Sequence, residues 1–242
     1  MRMRKKHNLD SRWESCLPLM EEAPSEIRGR WREKHSEFDE IRLEIGCGKG
    51  TFTVETAKIN PDILIVALEK EQSAMVMAME KVIDAGVKNV VFIDGDAARL
   101  GDMFAPGEVD MIYLNFSDPW PKSRDAKFRL TAPVFLRSYA DVLSEGGEIQ
   151  FKTDNSPLFE WSCRMFEDEG WELSELTYNL HENGPLGIMT DYESRFYAQG
   201  VKINRVVAVR NCATRNSSAG IPQRLRNAAL SDARGIRNTE TC

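Results

Sequence analysis

Between Ile41 and Val209 the chain alternates short apolar runs with longer stretches whose apolar positions recur every three or four residues. The runs Ile41–Ile45, Ile63–Leu68, Val90–Ile93, Met111–Leu114 and Glu148–Phe151 have the length and residue types of strands. Between them, residues 50–59, 71–85, 97–104 and 128–143 read as helices. In 71–85, Ala74, Met75, Met77, Ala78, Val82 and Ile83 fall at helical spacing, and the methionines read as core rather than as a binding surface. A fifth helix, 155–169, stops at Gly170, and two more β-type runs follow, Trp171–Tyr178 and Ile203–Val209. Strand and helix in alternation predict a doubly wound α/β domain, with a mostly parallel sheet and helices on both faces.

The segment 180–200 shows no clear element, and a loop of that length inside a domain is usually functional or disordered. Residues 1–40 are polar, with Trp13, Leu17, Leu19, Trp31 and Phe38 scattered through them. They read as a basic arm with a short helix, ahead of a domain over 41–210. Residues 211–242, rich in Asn, Ser, Arg, Ala and Thr, read as a disordered tail.

A length of 242 residues, 42% hydrophobic and 29% charged, suits one globular domain. No apolar run approaches the roughly 20 residues that span a bilayer, so no membrane partner is expected. The basic start Arg2–Lys6 is not followed by an apolar core of a signal peptide, and a cytoplasmic protein is expected. Five scattered cysteines, without a C-x-x-C pair, argue against a disulfide framework or a zinc site. His7, His35 and His181 lack ligand spacing, so no metal is expected. The net charge of −6 disfavours a general nucleic-acid binder, yet cations gather at Arg2–Lys6, Arg28–Lys34 and Lys122–Arg129. Each cluster reads equally as a solvated surface or as a phosphate-holding face.

The chemistry concentrates at strand ends. After the first strand comes Gly46-Cys47-Gly48-Lys49-Gly50-Thr51, a tight turn into a helix. Its G-x-G-x-G spacing is not the G-x-G-x-x-G of dinucleotide enzymes, because Thr51 stands at the third glycine's place, and no G-K-[ST] closes a phosphate loop. Glu44, inside the strand, suits a ligand bearing an ammonium and a sulfonium better than a pyrophosphate. Glu69 ends the second strand, where a carboxylate accepts ribose hydroxyls; it also reads as surface charge. Asp96 follows the third, where it can accept from an adenine amine or act as a helix cap. After the fourth strand, Pro119 and Pro121 stiffen a loop that fixes Asp118 and Trp120 at the same edge.

Ser117-Asp118-Pro119-Trp120-Pro121-Lys122 resembles the hallmark of the tRNA (guanine-N7-)-methyltransferase family, within the class I S-adenosylmethionine-dependent superfamily. So do Glu44–Gly50, Phe151-Lys152-Thr153-Asp154-Asn155 and Ile188-Met189-Thr190-Asp191-Tyr192-Glu193. The resemblance covers residues 10–210 and implies a seven-stranded Rossmann-like sheet, S-adenosylmethionine as donor, and methylation of guanine N7 in the variable loop of tRNA (nucleotide 46). It implies a monomer or homodimer. Carried over position by position, it makes Glu44, Gly46, Gly48, Gly50, Glu69, Asp96 and Asp118 donor-binding, and Asp118 the catalytic acid. Lys122, Asp154, Thr190, Asp191, Tyr192 and Glu193 become substrate contacts, with Arg124, Lys127 and Arg129 holding the RNA backbone. Tyr192 also reads as a core aromatic. The loop departs from the family at Ser123, Asp125 and Phe128, where basic residues and a histidine are common. Rival readings remain: the same fold acting on another RNA or on a protein, a nicotinamide oxidoreductase, or a non-catalytic RNA-binding module.

Overall fold

The computed structural model describes residues 8–210. The cluster Arg2–Lys6 and the expected tail 211–242 lie outside the described residues.

Seven strands form one sheet: β1 (Glu40–Ile45), β2 (Ile63–Glu69), β3 (Val90–Asp94), β4 (Val109–Asn115), β5 (Leu143–Thr153), β6 (Glu172–Thr177) and β7 (Asn204–Val209). Their order is β3-β2-β1-β4-β5-β7-β6; β7 runs opposite to the other six strands, so its pairings with β5 and β6 are antiparallel and the remaining pairs are parallel. The helices are α1 (Leu9–Cys16), α2 (Trp31–Lys34), α3 (Thr51–Ile59), α4 (Gln72–Ala85), α5 (Leu100–Met103), α6 (Pro133–Val142), α7 (Ser156–Asp168) and α8 (Asp191–Ala198).

The two-residue period of a strand shows why both faces need cover. In β2, Leu64, Val66 and Leu68 join a core with Leu136, Tyr139 and Phe159 of α6 and α7. Ile65 and Ala67 join the opposite core, with Val54 of α3 and Met75, Val76 and Met79 of α4. The strand order reverses between β1 and β4, and the crevice beyond the carboxyl ends of these strands is where such sheets bind ligands.

Three expectations are corrected. The segment before residue 41 is not merely an arm. Trp31 is fully buried, stacks on Phe104 at 4.9 Å and donates its indole N–H to the Met103 carbonyl at 2.8 Å. Glu108 accepts from the backbone N–H groups of Gly29 and Trp31, so this segment is part of the core. Burying a tryptophan removes roughly 150–250 Å² from water, worth about 4–6 kcal/mol as an upper bound. Second, the helix expected over 128–143 begins only at Pro133. A proline suits the first helical position and disfavours helix in the residue before it, so 123–128 forms a separate 3₁₀ turn. Third, α8 lies inside 180–200, where no element was expected.

Candidate active site

The turn after β1 wraps one of two adjoining cavities, each of about 230 Å³, that share Gly46, Asn115 and Phe116. The first is lined by Glu44, the Gly46–Phe52 turn, Thr190, Asp191 and Tyr192. The second is lined by Glu69, Asp96, Asp118 and Phe128. The glycines of the turn do different work. At Gly48 (φ +57°) an added Cβ would meet nothing within 4 Å, so the missing side chain leaves the cavity open. At Gly50 (φ +75°) it would lie 2.5 Å from the Ala78 Cβ and 2.7 Å from its Cα, so the missing side chain lets α4 approach. Gly50→Ala is therefore expected to destabilise the fold by about 3–5 kcal/mol, from left-handed strain plus overpacking. Gly48→Ala should cost only about 1–2 kcal/mol and act mainly on ligand affinity. Chemical denaturation and ligand calorimetry of the two variants check this contrast.

Glu44 sits in β1 with 2% exposure and accepts a hydrogen bond from the Thr53 hydroxyl at 2.6 Å. Burial pushes its carboxyl up to about 7, against the opposing pull of the Thr53 hydroxyl and the Lys152 ammonium. Asn115, at the end of β4, lies near enough to favour the Glu44 anion but makes no well-formed bond: its Nδ2 is buried without a hydrogen-bond partner among the described residues. An orphaned donor at the junction of both cavities is costly unless a ligand meets it.

Glu69 already supports the turn. Its Oε2 accepts from Gly48 N at 2.9 Å, and its Oε1 from Lys70 N and Glu71 N at 2.9 Å each. Roughly one of a carboxylate's four acceptor sites is left for a ribose. Asp96 caps the 3₁₀ turn at Ala97–Arg99, accepting from Ala98 N at 2.9 Å, and still lines the second cavity. Cap and cavity wall are thus combined in one residue.

The loop after β4 holds two non-glycine residues at positive φ, Phe116 (+53°) and Trp120 (+42°). Such strain persists only where surroundings enforce it. At Trp120 Arg129 enforces it: its Nε and Nη2 donate to the carbonyls of Pro119 (2.9 Å) and Trp120 (3.0 Å), and its guanidinium lies 4.5 Å from the centre of the Trp161 ring. Arg129, expected on the RNA backbone, is thus occupied in shaping the loop. Asp118 is exposed at the rim of the second cavity. Lys122, Arg124 and Lys127 are exposed; Arg124 reaches Asp125 at 3.7 Å, and Lys127 lies over the Phe128 ring at 5.1 Å.

The stretch expected to contact substrate divides. Thr190 and Glu193 form a reciprocal capping box that starts α8. The Glu193 side chain is fully buried, bonded to Lys152 at 2.6 Å and His181 at 3.0 Å, and does not face the cavity. Asp191 pairs with Lys81 of α4 at 3.0 Å. Tyr192 presents its ring at 38% exposure, stacked on Phe196 at 4.3 Å and near Phe116 at 5.2 Å. Asp154, just past β5, is half-buried and close enough to help push the Tyr192 hydroxyl up, after the larger effect of burial.

A family model described as "Putative methyltransferase" matches residues 39–206. The chain is 46% identical over 183 residues to the tRNA (guanine-N(7)-)-methyltransferase of Bacillus velezensis, across 75% of this chain and 84% of that protein. It is 41% identical over 209 residues to the protein of the same name in Streptococcus agalactiae, across 86% of this chain and 99% of that one. The chain belongs to the tRNA (guanine-N(7)-)-methyltransferase family. Solved structures extend the likeness in fold alone. The 16S rRNA methyltransferase KamB superimposes with a TM-score of 0.58 at 19% identity, over 75% of this chain and 92% of that one. An antibiotic-related methyltransferase gives 0.57 at 17% identity, over 75% and 92%.

This methyltransferase uses S-adenosylmethionine, and the residues present fit it. The cavity is open where Gly46 and Gly48 lack side chains, Glu44 offers a carboxylate to a cationic ligand, and the Asn115 donor awaits an acceptor. Sequence reasoning missed Asn115, Lys152 and His181. Lys152 gave no local signal, because it falls on the polar beat of the ordinary strand alternation Glu148-Ile149-Gln150-Phe151-Lys152.

Proposed function

We propose that this methyltransferase transfers the methyl group of S-adenosylmethionine to N7 of a guanine in the variable loop of tRNA, in the cytoplasm. The observation that carries the reading is the carboxylate of Asp118, held by a stiff and strained loop at the rim of the donor cavity. Its sequence setting matches a family named for this reaction.

Guanine N7 has an in-plane lone pair and no proton, so no general base is required. When bound, S-adenosylmethionine supplies a methyl carbon on a cationic sulfur, and the positive charge moves to the purine as the carbon–sulfur bond gives way to the carbon–nitrogen bond. The chain must hold donor and base in line and favour charge at the base. Glu44 and the glycine turn hold the donor. Asp118 faces the cation that develops on the purine, and Asp154 lies at the base edge. Tyr192, with its ring presented beside Phe116, stacks on the base, a contact worth roughly 1–3 kcal/mol. Exposed Lys122, Arg124 and Lys127 hold phosphates.

Label from S-adenosylmethionine is expected in tRNA and not in a 16S ribosomal RNA fragment. Label confined to the ribosomal fragment would reject the tRNA reading while keeping methyl transfer. Lys122→Ala should weaken tRNA binding about 3–10-fold in 0.1 M salt and lower the slope of log K against log salt by about one, with donor affinity unchanged. An unchanged slope in a filter-binding titration would remove Lys122 from the RNA face.

A further inference from the structure

We infer that Lys152, Glu193 and His181 form a buried lock that positions the wall 184–192 at the active site, and that turnover requires it; the turnover part rests on the tRNA reading above. None of the three is a catalytic residue, since none faces the donor cavity. They are positioning residues.

The geometry is nearly saturated. The side chains of Lys152, His181 and Glu193 are 8%, 3% and 0% exposed. His181 Nδ1 accepts from Leu186 N at 3.2 Å, which leaves the ring proton on Nε2, donating to Glu193 Oε1 at 3.0 Å. Glu193 Oε2 accepts from Lys152 Nζ at 2.6 Å and from Thr190 N at 3.3 Å. Lys152 Nζ also donates to the Ile188 carbonyl at 2.9 Å. One strand residue and its two partners thus grip the wall's backbone at 186, 188 and 190.

That wall has little else to hold it. It contains Gly184, Pro185 and Gly187, and Leu186 is 60% exposed. It divides two spaces: Thr190 and Tyr192 line the donor cavity, while Leu186, Ile188 and Lys152 line a neighbouring cavity of about 480 Å³. On the far side Asp191 is tied to Lys81. A wall gripped from both sides fixes the Tyr192 ring. Apolar residues often stabilise an interior as well as a buried ion pair does, so charges kept here are better explained by placement than by stability.

The test compares His181→Phe with His181→Gln. Phenylalanine keeps the ring that packs edge-on against Tyr197 at 5.1 Å but loses both hydrogen bonds. Glutamine keeps a donor and an acceptor. Amide hydrogen exchange over 186–192 in the RNA-free protein is expected to rise about tenfold or more in His181→Phe and to stay within about threefold in His181→Gln. With tRNA and saturating donor, kcat should fall about tenfold in the first and stay within about threefold in the second. If His181→Phe does not fold, the double variant Lys152→Met/Glu193→Gln, which strands no charge, takes its place with the same expectations. Equal behaviour of the two His181 variants, unchanged exchange, or faster exchange with unchanged kcat would each overturn the lock. A wild-type protein that methylates no tRNA would fault the functional reading instead, and the exchange contrast would still decide the lock's geometry.

Discussion

Asp118→Ala is expected to lower methyl transfer to tRNA by about 10²–10³-fold, the scale of removing one preorganised electrostatic group from a transition state. Its effect on stability should be under about 0.5 kcal/mol. The separation follows from the surroundings. Asp118 is exposed and makes no hydrogen bond among the described residues, so the fold does not depend on it. The loop's shape is carried instead by Pro119, Pro121 and the bonds from Arg129 to two loop carbonyls. Asp118→Asn keeps size and loses charge, and should fall nearly as far, because the role assigned is opposition to a cation. Single-turnover rates at saturating donor measure it. A loss below about tenfold would leave under ~1.4 kcal/mol to Asp118 and move the catalytic assignment elsewhere.

Glu44→Gln should separate stability from function in the opposite sense. The Glu44 carboxyl, ordinarily near 4.5, is raised to about 7 by burial. Between those values the unfolded chain has given up the proton and the folded one has kept it. Stability therefore falls as pH rises from about 4.5 to 7, by about 3 kcal/mol in total, and the cost is fully present above the folded value. Glutamine avoids that cost, so the free variant should unfold at higher denaturant than wild type at pH 8 and close to wild type at pH 4.5. Donor binding should weaken about tenfold or more, since the cationic ligand loses its carboxylate. Wild-type donor affinity should improve as pH rises through about 7 and Glu44 ionises; the variant should lack this dependence. Calorimetry at pH 6 and pH 8 reads both. A variant that binds the donor as well as wild type would remove Glu44 from the donor site.

The parts of the fold legible in the sequence were those governed by local period. β1, β2, β3 and β4 are apolar on one or both faces, and their runs stand out within one or two residues of the observed ends. The order of the sheet and the antiparallel β7 are not local properties and show only in the structure; the resemblance to a family supplied the number of strands. What escaped was set by competition between signals. In 180–200, Gly184, Pro185 and Gly187 dominate the pattern and hide α8, although Thr190-Asp191-Tyr192-Glu193 spells a capping box. Trp31 looked like an isolated aromatic in a polar arm because its pocket, around Met103 and Phe104, lies more than 70 residues away in sequence. At the site, residue types at strand ends were legible, whereas their bonding was not. Arg129 and Glu193 are charged residues in motif positions, but one is spent on loop carbonyls and the other on a buried lysine and histidine. Only three-dimensional contacts distinguish a charge offered to a substrate from one consumed by the protein.

The most direct measurement is to incubate the protein with labelled S-adenosylmethionine and unmodified tRNA, then cleave the chain at N7-methylguanine. A single cut in the variable loop, carrying the label, is the result expected from the donor cavity and the Asp118 loop. Label that yields no cleavage at guanine, or no label from a folded protein that binds the donor, would contradict N7 transfer.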